Sequence, residues 1–432
     1  MRVAVVSDLV RPNGAGLMAL HGAEILGDAG IDVGVFAGAM SPELEAALGS
    51  TYGTAESFTH DEKALDGSVT GNDHRSFRRH ATRWLRQALG EFAPDVLYIH
   101  NCGRILTQLD VADLSRTWAV VHTMHDEWWF TDAHYTFALP SGDIVRTYEP
   151  DRSEPIAEHR YEHLFDLEDR LGRFAAVGPS AWITERAQRV FPRMRIEHIA
   201  NAVDDSLFPI QERRACRRTL GLPEDYPIAL FVGSPTQERK GLAAFEAAMR
   251  HVELDGVAPM RLIAGGSNSV AFGGAEALVG PGPLRDLLDR PSPNPIGALG
   301  IVGPGLAVAG APRRLMATVY GAADVLVHPS RIDNLPTVPI EAGLCGTRCL
   351  ASDVGGTSET IADVGDLFAL GISPQELGQR VQSAIAEARK ETVDDRERRR
   401  STQLDRFSRE THRAAIVPLL ESTVHEGGVS SW

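Results

Sequence analysis

The sequence predicts an α/β protein of two domains, each a parallel sheet flanked by helices. Three observations carry that reading. The chain's 432 residues exceed what one hydrophobic core usually spans, so two domains of about 200 residues are expected. Short apolar runs that suit buried strands (Val3 to Val6, Ile228 to Val232, Val325 to His328) alternate with stretches at helical spacing, the pattern of successive βα units. Glycine-bearing turns follow several of these runs, where a strand passes tightly into a helix.

Composition narrows the function. Apolar residues at 43% are enough for two packed cores, and the formal charge of −15 argues against a nucleic-acid binder, which needs clustered Lys and Arg. A small molecule that carries its own phosphates still suits a locally positive cleft. No apolar run approaches the ~20 residues that cross a bilayer. The chain opens directly on the strand MRVAVVS in place of a signal peptide, so a cytoplasmic location is expected. Cys102, Cys216, Cys345 and Cys349 form no CxxC pattern and read as buried thiols.

The most informative stretch is AADVLVHPSRIDNLPTVPIEAGLCGTRCLASDVGGTSETI, residues 322–361. It reads as a strand, a polar turn, a helix opening near Thr337, a strand from Arg348 to Ser352, and a Gly-Gly turn into another helix. Both turns would lie at the carboxyl edge of a parallel sheet, where such folds bind ligands. Helix N-termini there suit a phosphate. Asp333, Glu341 and Glu359 would repel phosphate, so they should face hydroxyls, and a sugar nucleotide has both parts.

PSRIDNLPTVPIEAGLCGT followed by SDVGGTSETI resembles the donor-site signature of family 4 retaining glycosyltransferases (glycosyl transferases group 1). That family carries two acidic residues eight positions apart, and Asp333 and Glu341 occupy those places. The first is more often Glu there, and Gly commonly stands where Pro336 stands; Pro336 has no N–H to offer a ligand oxygen. The resemblance implies the GT-B fold: two Rossmann-like domains facing a central cleft, with a C-terminal helix crossing back to the first domain. It also implies transfer of a hexosyl or N-acetylhexosaminyl group, with retained configuration, from a nucleotide diphosphate sugar to an acceptor hydroxyl on a small metabolite, a saccharide or a lipid carrier. No metal and no cofactor beyond that co-substrate is expected.

In chain order, the first domain is expected over 1–205. It opens with strand Val3 to Val6, a turn Pro12-Asn13-Gly14-Ala15-Gly16, a helix from about Leu17 and a strand Val33 to Phe36. The lone G-x-G serves either close packing or a ligand, and the resemblance puts Gly14 and Gly16 near the acceptor or the donor phosphates. Between Thr51 and Asn72 the polar, Gly-rich composition reads as a mobile surface loop. HRSFRRHATRWLRQAL then forms a basic helix, Arg75 to Arg86. It is either a solvated face or a dock for an acceptor phosphate or an anionic membrane surface.

After strands at Asp95 to His100 and Trp118 to His122 comes HTMHDEWWFTDAHY. By the resemblance, His125 contacts the transferring sugar. Asp126, Trp128, Trp129 and Tyr135 are candidate acceptor contacts, since aromatic faces stack on sugars, although such clusters equally serve loop packing. His122, His125 and His134 with Asp126 and Asp132 also admit a metal reading, which the irregular spacing disfavours. An acceptor-side insertion runs on to about Glu162. RIEHIANAVDDSLF resembles the connection that closes the family's first domain.

The second domain is expected over 206–405. After strand Ile228 to Val232 comes Gly233-Ser234-Pro235-Thr236-Gln237-Glu238-Arg239-Lys240-Gly241. Arg239 and Lys240 are either a surface pair or the cations that steady a departing diphosphate. The resemblance implies further donor contacts at Gly233, Asn334, Leu335, Gly355, Gly356 and Glu359. The Gly/Pro-rich stretch 265–311 is longer than a median connection and should include an ordered base-binding or gating loop. RKETVDDRERRR reads as a solvated surface. A crossover helix over 406–425 and a disordered tail over 426–432 complete the chain.

Two rival functions fit parts of the pattern: a nucleotide-sugar 2-epimerase of the same plan, and a non-catalytic nucleotide-sugar-binding protein. A dehydrogenase fits less well, because neither glycine turn carries the full dinucleotide fingerprint.

Overall fold

Strands form where the chain is apolar on both faces. In β1 (Arg2–Leu9) residues Val3 to Val6 are fully buried. Ala4 and Val6 enter one core while Val3 and Val5 enter the core on the other face. A sheet covered on both sides needs such continuous apolar runs and not an alternating pattern. The computed structural model describes residues 1–10, 14–61, 72–131, 136–138, 144–146, 166–233, 237–264, 299–301, 305–308, 313–361 and 364–425. Its contacts divide the chain into two units, Met1–Ala202 with Arg409–Trp432, and Val203–Ser408.

In the first unit β1 is joined by β2 (Asp32–Ala39), β3 (Thr54–Thr59), β4 (Val96–Ile99) and β5 (Ala119–Thr123). A short antiparallel pair follows, β6 (Thr136–Ala138) with β7 (Ile144–Arg146), and then β8 (Phe174–Gly178) and β9 (Ile196–His198). The main sheet has the order β3-β2-β1-β4-β5-β8-β9, and its pairings are parallel. The last helix, Arg409–His425, contributes Ile416, Leu419 and Leu420 to the core on the Val3/Val5 face.

The second unit contains β10 (Ile228–Val232), β11 (Met260–Ala264), β12 (Leu299–Ile301), β13 (Gly305–Val308), β14 (Val325–His328), β15 (Arg348–Ser352) and β16 (Gly365–Phe368). Their order is β12-β13-β11-β10-β14-β15-β16, and β12 runs antiparallel to β13. Each sheet reverses its winding once, between β1 and β4 and between β10 and β14. In open α/β sheets the crevice at the carboxyl ends of such a pair is where ligands bind.

Three expectations change. The first helix is Gly14–Asp28, so Gly14 and Gly16 stand in its first turn and not in a turn before it. The polar stretch after Thr51 includes β3, half-buried along its whole length. It pairs with β2 at the sheet edge, where one-sided cover tolerates polar residues. The charge run near 393–400 is only in part a solvated surface: it lies in helix Val393–Phe407, where Asp394, Glu397 and Arg398 are exposed but Arg396 and Arg400 are half-buried and Arg399 is buried. Arg400 Nη1, Arg396 Nη2 and Arg399 Nη1 donate to the carbonyls of Leu344 (2.7 Å), Cys345 (3.0 Å) and Gly346 (2.8 Å). These close the C-terminus of helix Thr337–Leu344, whose last carbonyls have no partner within the helix. The tail 426–432, and the 265–311 stretch apart from β12 and β13, lie outside the described residues.

A buried ion pair ties helix Arg213–Thr219 to the second sheet. Asp324 accepts from Arg217 Nη2 at 3.0 Å and from the Ile228 amide at 2.7 Å, with Arg213 Nη1 at 3.1 Å. Asp324→Ala would leave the Arg217 guanidinium buried without its counter-charge. It should cost about 3–5 kcal/mol, read as a lower urea midpoint for the second unit; an unshifted midpoint would refute this account.

Candidate functional site

In the second unit three loops converge outside β10 and β14, and glycine permits the approach. Gly241, at φ +78°, ends the Glu238–Lys240 turn, and a Cβ on it would lie 2.0 Å from the Pro329 carbonyl oxygen. Gly355, at φ +54°, would bring a Cβ to 2.0 Å from the Asp333 carbonyl oxygen. A side chain at either place would separate the loops. Two backbone bonds lock them, Arg331 N to Arg239 O at 2.7 Å and Gly356 N to Asp333 O at 3.1 Å.

Asp333 occupies the junction. Its Oδ2 accepts from Lys240 Nζ at 2.6 Å and Ser330 Oγ at 3.3 Å, with His328 Nε2 at 3.6 Å, and Arg239 Nη1 lies 3.5 Å from Oδ1. Burial pushes the Asp333 carboxyl up, but Lys240, His328 and Arg239 outweigh it and hold the group well below the usual carboxylate range. Burial lowers Lys240, and the Asp333 charge opposes that shift. The acid and the cations that the sequence placed on different parts of a ligand therefore touch each other. His328, read only as the end of a strand, is a further member of this cluster. The signal was a lone imidazole closing an apolar run at a carboxyl edge.

Glu341, on helix Thr337–Leu344, is 9% exposed, and its Oε2 accepts from Tyr320 Oη at 2.7 Å. Burial first, then the Glu341 charge, raises the Tyr320 hydroxyl well above its ordinary value. Asn334 and Leu335 are buried, Glu359 is half-buried on the short helix Thr357–Ile361, and Gly233 follows β10 directly. Ser234 lies outside the described residues.

In the first unit the carboxyl ends of β1, β4 and β5 carry the polar groups. Asp8 accepts from the amides of Arg104 at 3.0 Å and Ile105 at 3.1 Å, which shapes the turn after β4. His100 Nδ1 and His125 Nε2 are 2.9 Å apart. Asp126 takes the Trp128 amide on Oδ1 at 2.9 Å. Burial pushes its carboxyl up to about 7; the Trp128 amide opposes this, and the charges of Asp8 and Glu127 add to it. Burial also drives His122 down to about 3.

Trp128 and Trp129 correct an expectation. They are 4% and 1% exposed and lie in the core cluster, so neither presents a face on which a sugar could stack. Trp129 Nε1 donates to His122 Nδ1 at 2.9 Å, and Gln108 Nε2 donates to the Trp128 carbonyl at 2.9 Å. A Cβ on Gly103 would lie 2.6 Å from Trp128 Nε1. Tyr135, His134 and Asp132 lie outside the described residues, and among the described ones no group of three or more His, Cys, Asp or Glu could hold a metal ion. On helix Asn72–Phe92, Arg79, His80 and Arg83 are exposed and Arg86 stands 3.9 Å from Asp113. Among the described residues no helix is long and apolar enough to cross a membrane.

Comparison with known proteins gives this arrangement its class. Solved structures similar over nearly the whole chain include sucrose-phosphate synthase from Thermosynechococcus elongatus (TM-score 0.66, 17% identity, 98% of each chain). HepE of Anabaena in complex with UDP-glucose is another (TM-score 0.63, 17% identity, 98% of this chain and 100% of that one). The fold is GT-B, the architecture of these glycosyltransferases. Residues 308–401, which include Asp333, Glu341 and Glu359, match the glycosyl transferases group 1 family. The D-inositol 3-phosphate glycosyltransferase of Thermobifida fusca is 28% identical over 390 residues, 85% of this chain and 79% of that protein. Its counterpart in Streptosporangium roseum is 31% identical over 270 residues, 60% of this chain and 54% of that one. The likeness to the glycosyl transferases group 1 is thus carried by residues 308–401 of the second unit.

The buried Asp126 carboxyl sets a pH dependence. Between about pH 4 and about 7 the unfolded chain loses this proton while the folded one keeps it, so stability falls as pH rises through that window and levels off above it. Asp126→Asn keeps the acceptor for the Trp128 amide and removes the titration. Its melting temperature should exceed the parent's at pH 8, and the gap should close towards pH 4. A gap independent of pH would show that Asp126 is ionised when folded.

Proposed function

We propose that this protein transfers a sugar from a nucleotide diphosphate sugar to an acceptor hydroxyl with retention of anomeric configuration. The observation that carries the reading is the Lys240–Asp333–Arg239 cluster at the β10/β14 crevice, with Glu341 on the helix that follows. Similarity to a protein solved with UDP and with UDP-glucose supports a uridine nucleotide as the first donor to test. Relatives named for D-inositol 3-phosphate support a phosphorylated cyclitol as the first acceptor.

The chemistry follows from the charges. As the bond from the sugar to the leaving oxygen lengthens, the sugar becomes oxocarbenium-like and negative charge builds on the diphosphate. Arg239 offers a planar fork of donors and Lys240 a compact ammonium with three. Asp333 takes one of those three and fixes where the ammonium stands, so the cation is oriented before the charge develops. In this role the two side chains supply the charge stabilisation without a metal. Glu341 holds the nucleotide ribose, and Asp333 and Glu359 orient the donor sugar. The leaving diphosphate accepts the acceptor's proton in a front-face route.

Lys240→Ala should lower kcat by about 10²- to 10³-fold, and Glu341→Ala should weaken donor binding by about 10- to 100-fold, the loss of one charge-assisted hydrogen bond. UDP should raise the melting temperature of the parent by mass action and do so less in Glu341→Ala. Product formation is followed by NMR with donor alone and with donor plus acceptor. Near-parental rates in both variants would sink the assignment, and an altered sugar formed from donor alone would identify an epimerase.

A further inference from the structure

Tyr320 and Glu341 meet inside the second unit. Tyr320, on helix Arg313–Ala322, is fully buried, and its Oη donates to Glu341 Oε2 at 2.7 Å. Further contacts hold the phenol in place. Its ring packs edge-on against Phe208, with centroids 6.1 Å apart and planes at 62°. Thr347 Oγ1 donates to the Tyr320 carbonyl at 2.8 Å, and the Thr347 amide donates to the Ala342 carbonyl, also at 2.8 Å. Thr347 thus joins the helix of Tyr320 to the helix that carries Glu341.

The bond between them runs one way. Burial, with the Glu341 charge, raises the Tyr320 hydroxyl well above its ordinary value, so the phenol keeps its proton and the carboxylate is the acceptor. The last torsion of a glutamate is broad, with no staggered well to fix the plane of its oxygens. A charge-assisted bond from a fixed donor supplies that constraint, and it opposes the tendency of burial to neutralise the acid. A carboxylate has about four acceptor positions, so one such bond orients the group without ending its capacity to accept others. Tyr320 itself, at 0% exposure, is out of reach of a nucleotide.

We propose that Tyr320 is a positioning residue for the donor: its hydroxyl fixes the plane of the Glu341 carboxylate, and the preference for a nucleotide with 2′- and 3′-hydroxyls depends on that bond. The inference rests on the proposed reading that Glu341 holds the nucleotide ribose. An acceptor oriented before the ligand arrives lowers the ordering cost of binding, and only a ligand that brings hydroxyls to it gains.

The test is calorimetric titration of the full chain with UDP, GDP and ADP, each against its 2′,3′-dideoxy analogue. Tyr320→Phe keeps the ring and removes only the hydroxyl. It should weaken binding of the preferred nucleotide about 10-fold and leave binding of the dideoxy analogue unchanged, whereas damage to the packing would weaken both alike. Added to Glu341→Ala, Tyr320→Phe should change nothing further. Because that pair leaves neither partner buried without the other, it keeps the test open if Tyr320→Phe alone does not fold. A folded Tyr320→Phe that discriminates as strongly as the parent, or loses affinity equally for both ligands, would overturn this inference alone, as would a further loss of affinity in the double variant. A parent that binds none of the nucleotides, or binds each no better than its analogue, would sink the proposed role of Glu341 and this inference with it.

Discussion

The second unit depends on one carboxylate holding two cations at the meeting point of three loops. Lys240, Arg239 and Asp333 side chains are 18%, 16% and 14% exposed, too enclosed for water to solvate a lone charge fully. Removing one partner from such a set is costly because the others remain charged. The loops could not bring these groups together without Gly241 and Gly355, whose left-handed backbones pass within contact of neighbouring carbonyls. Backbone geometry and electrostatics thus support each other.

The first unit handles its enclosed polar groups differently. The second keeps charges and pairs them. The first keeps His100, His122 and His125 uncharged near pH 7, since burial lowers the imidazoles, and burial raises the Asp126 carboxyl to about 7, so that it keeps its proton below that pH. A neutral ring has one donor and one acceptor, so its hydrogen bonds have direction. Trp129 fixes the direction at His122 by donating to Nδ1. Charge placement in one unit and proton placement in the other are two ways of preorganising a site.

Support for Glu341 comes from outside its own segment. Its helix is only eight residues long, too short to hold itself in water, and three arginines from helix Val393–Phe407 close its C-terminal carbonyls. A change at Arg396, Arg399 or Arg400 would act on the site through the position of that helix.

The strands and the loops that follow them were legible in the sequence, because apolar runs buried on both faces and glycines at strand ends are local signals. The 322–361 segment appears with its strand, helix, strand and helix in the expected order. What only the tertiary structure decided is which loop side chains face inward and whom they meet. Trp128 and Trp129 turn into the core beside His122, although composition alone suited them equally to a sugar. Asp333 finds Lys240 across 93 residues, and Arg399 reaches Gly346 across 53. The physical reason is that a residue's type and spacing fix its local conformation and the chemistry it can offer. Its burial, charge state and partner are set by the packing of segments remote in the chain.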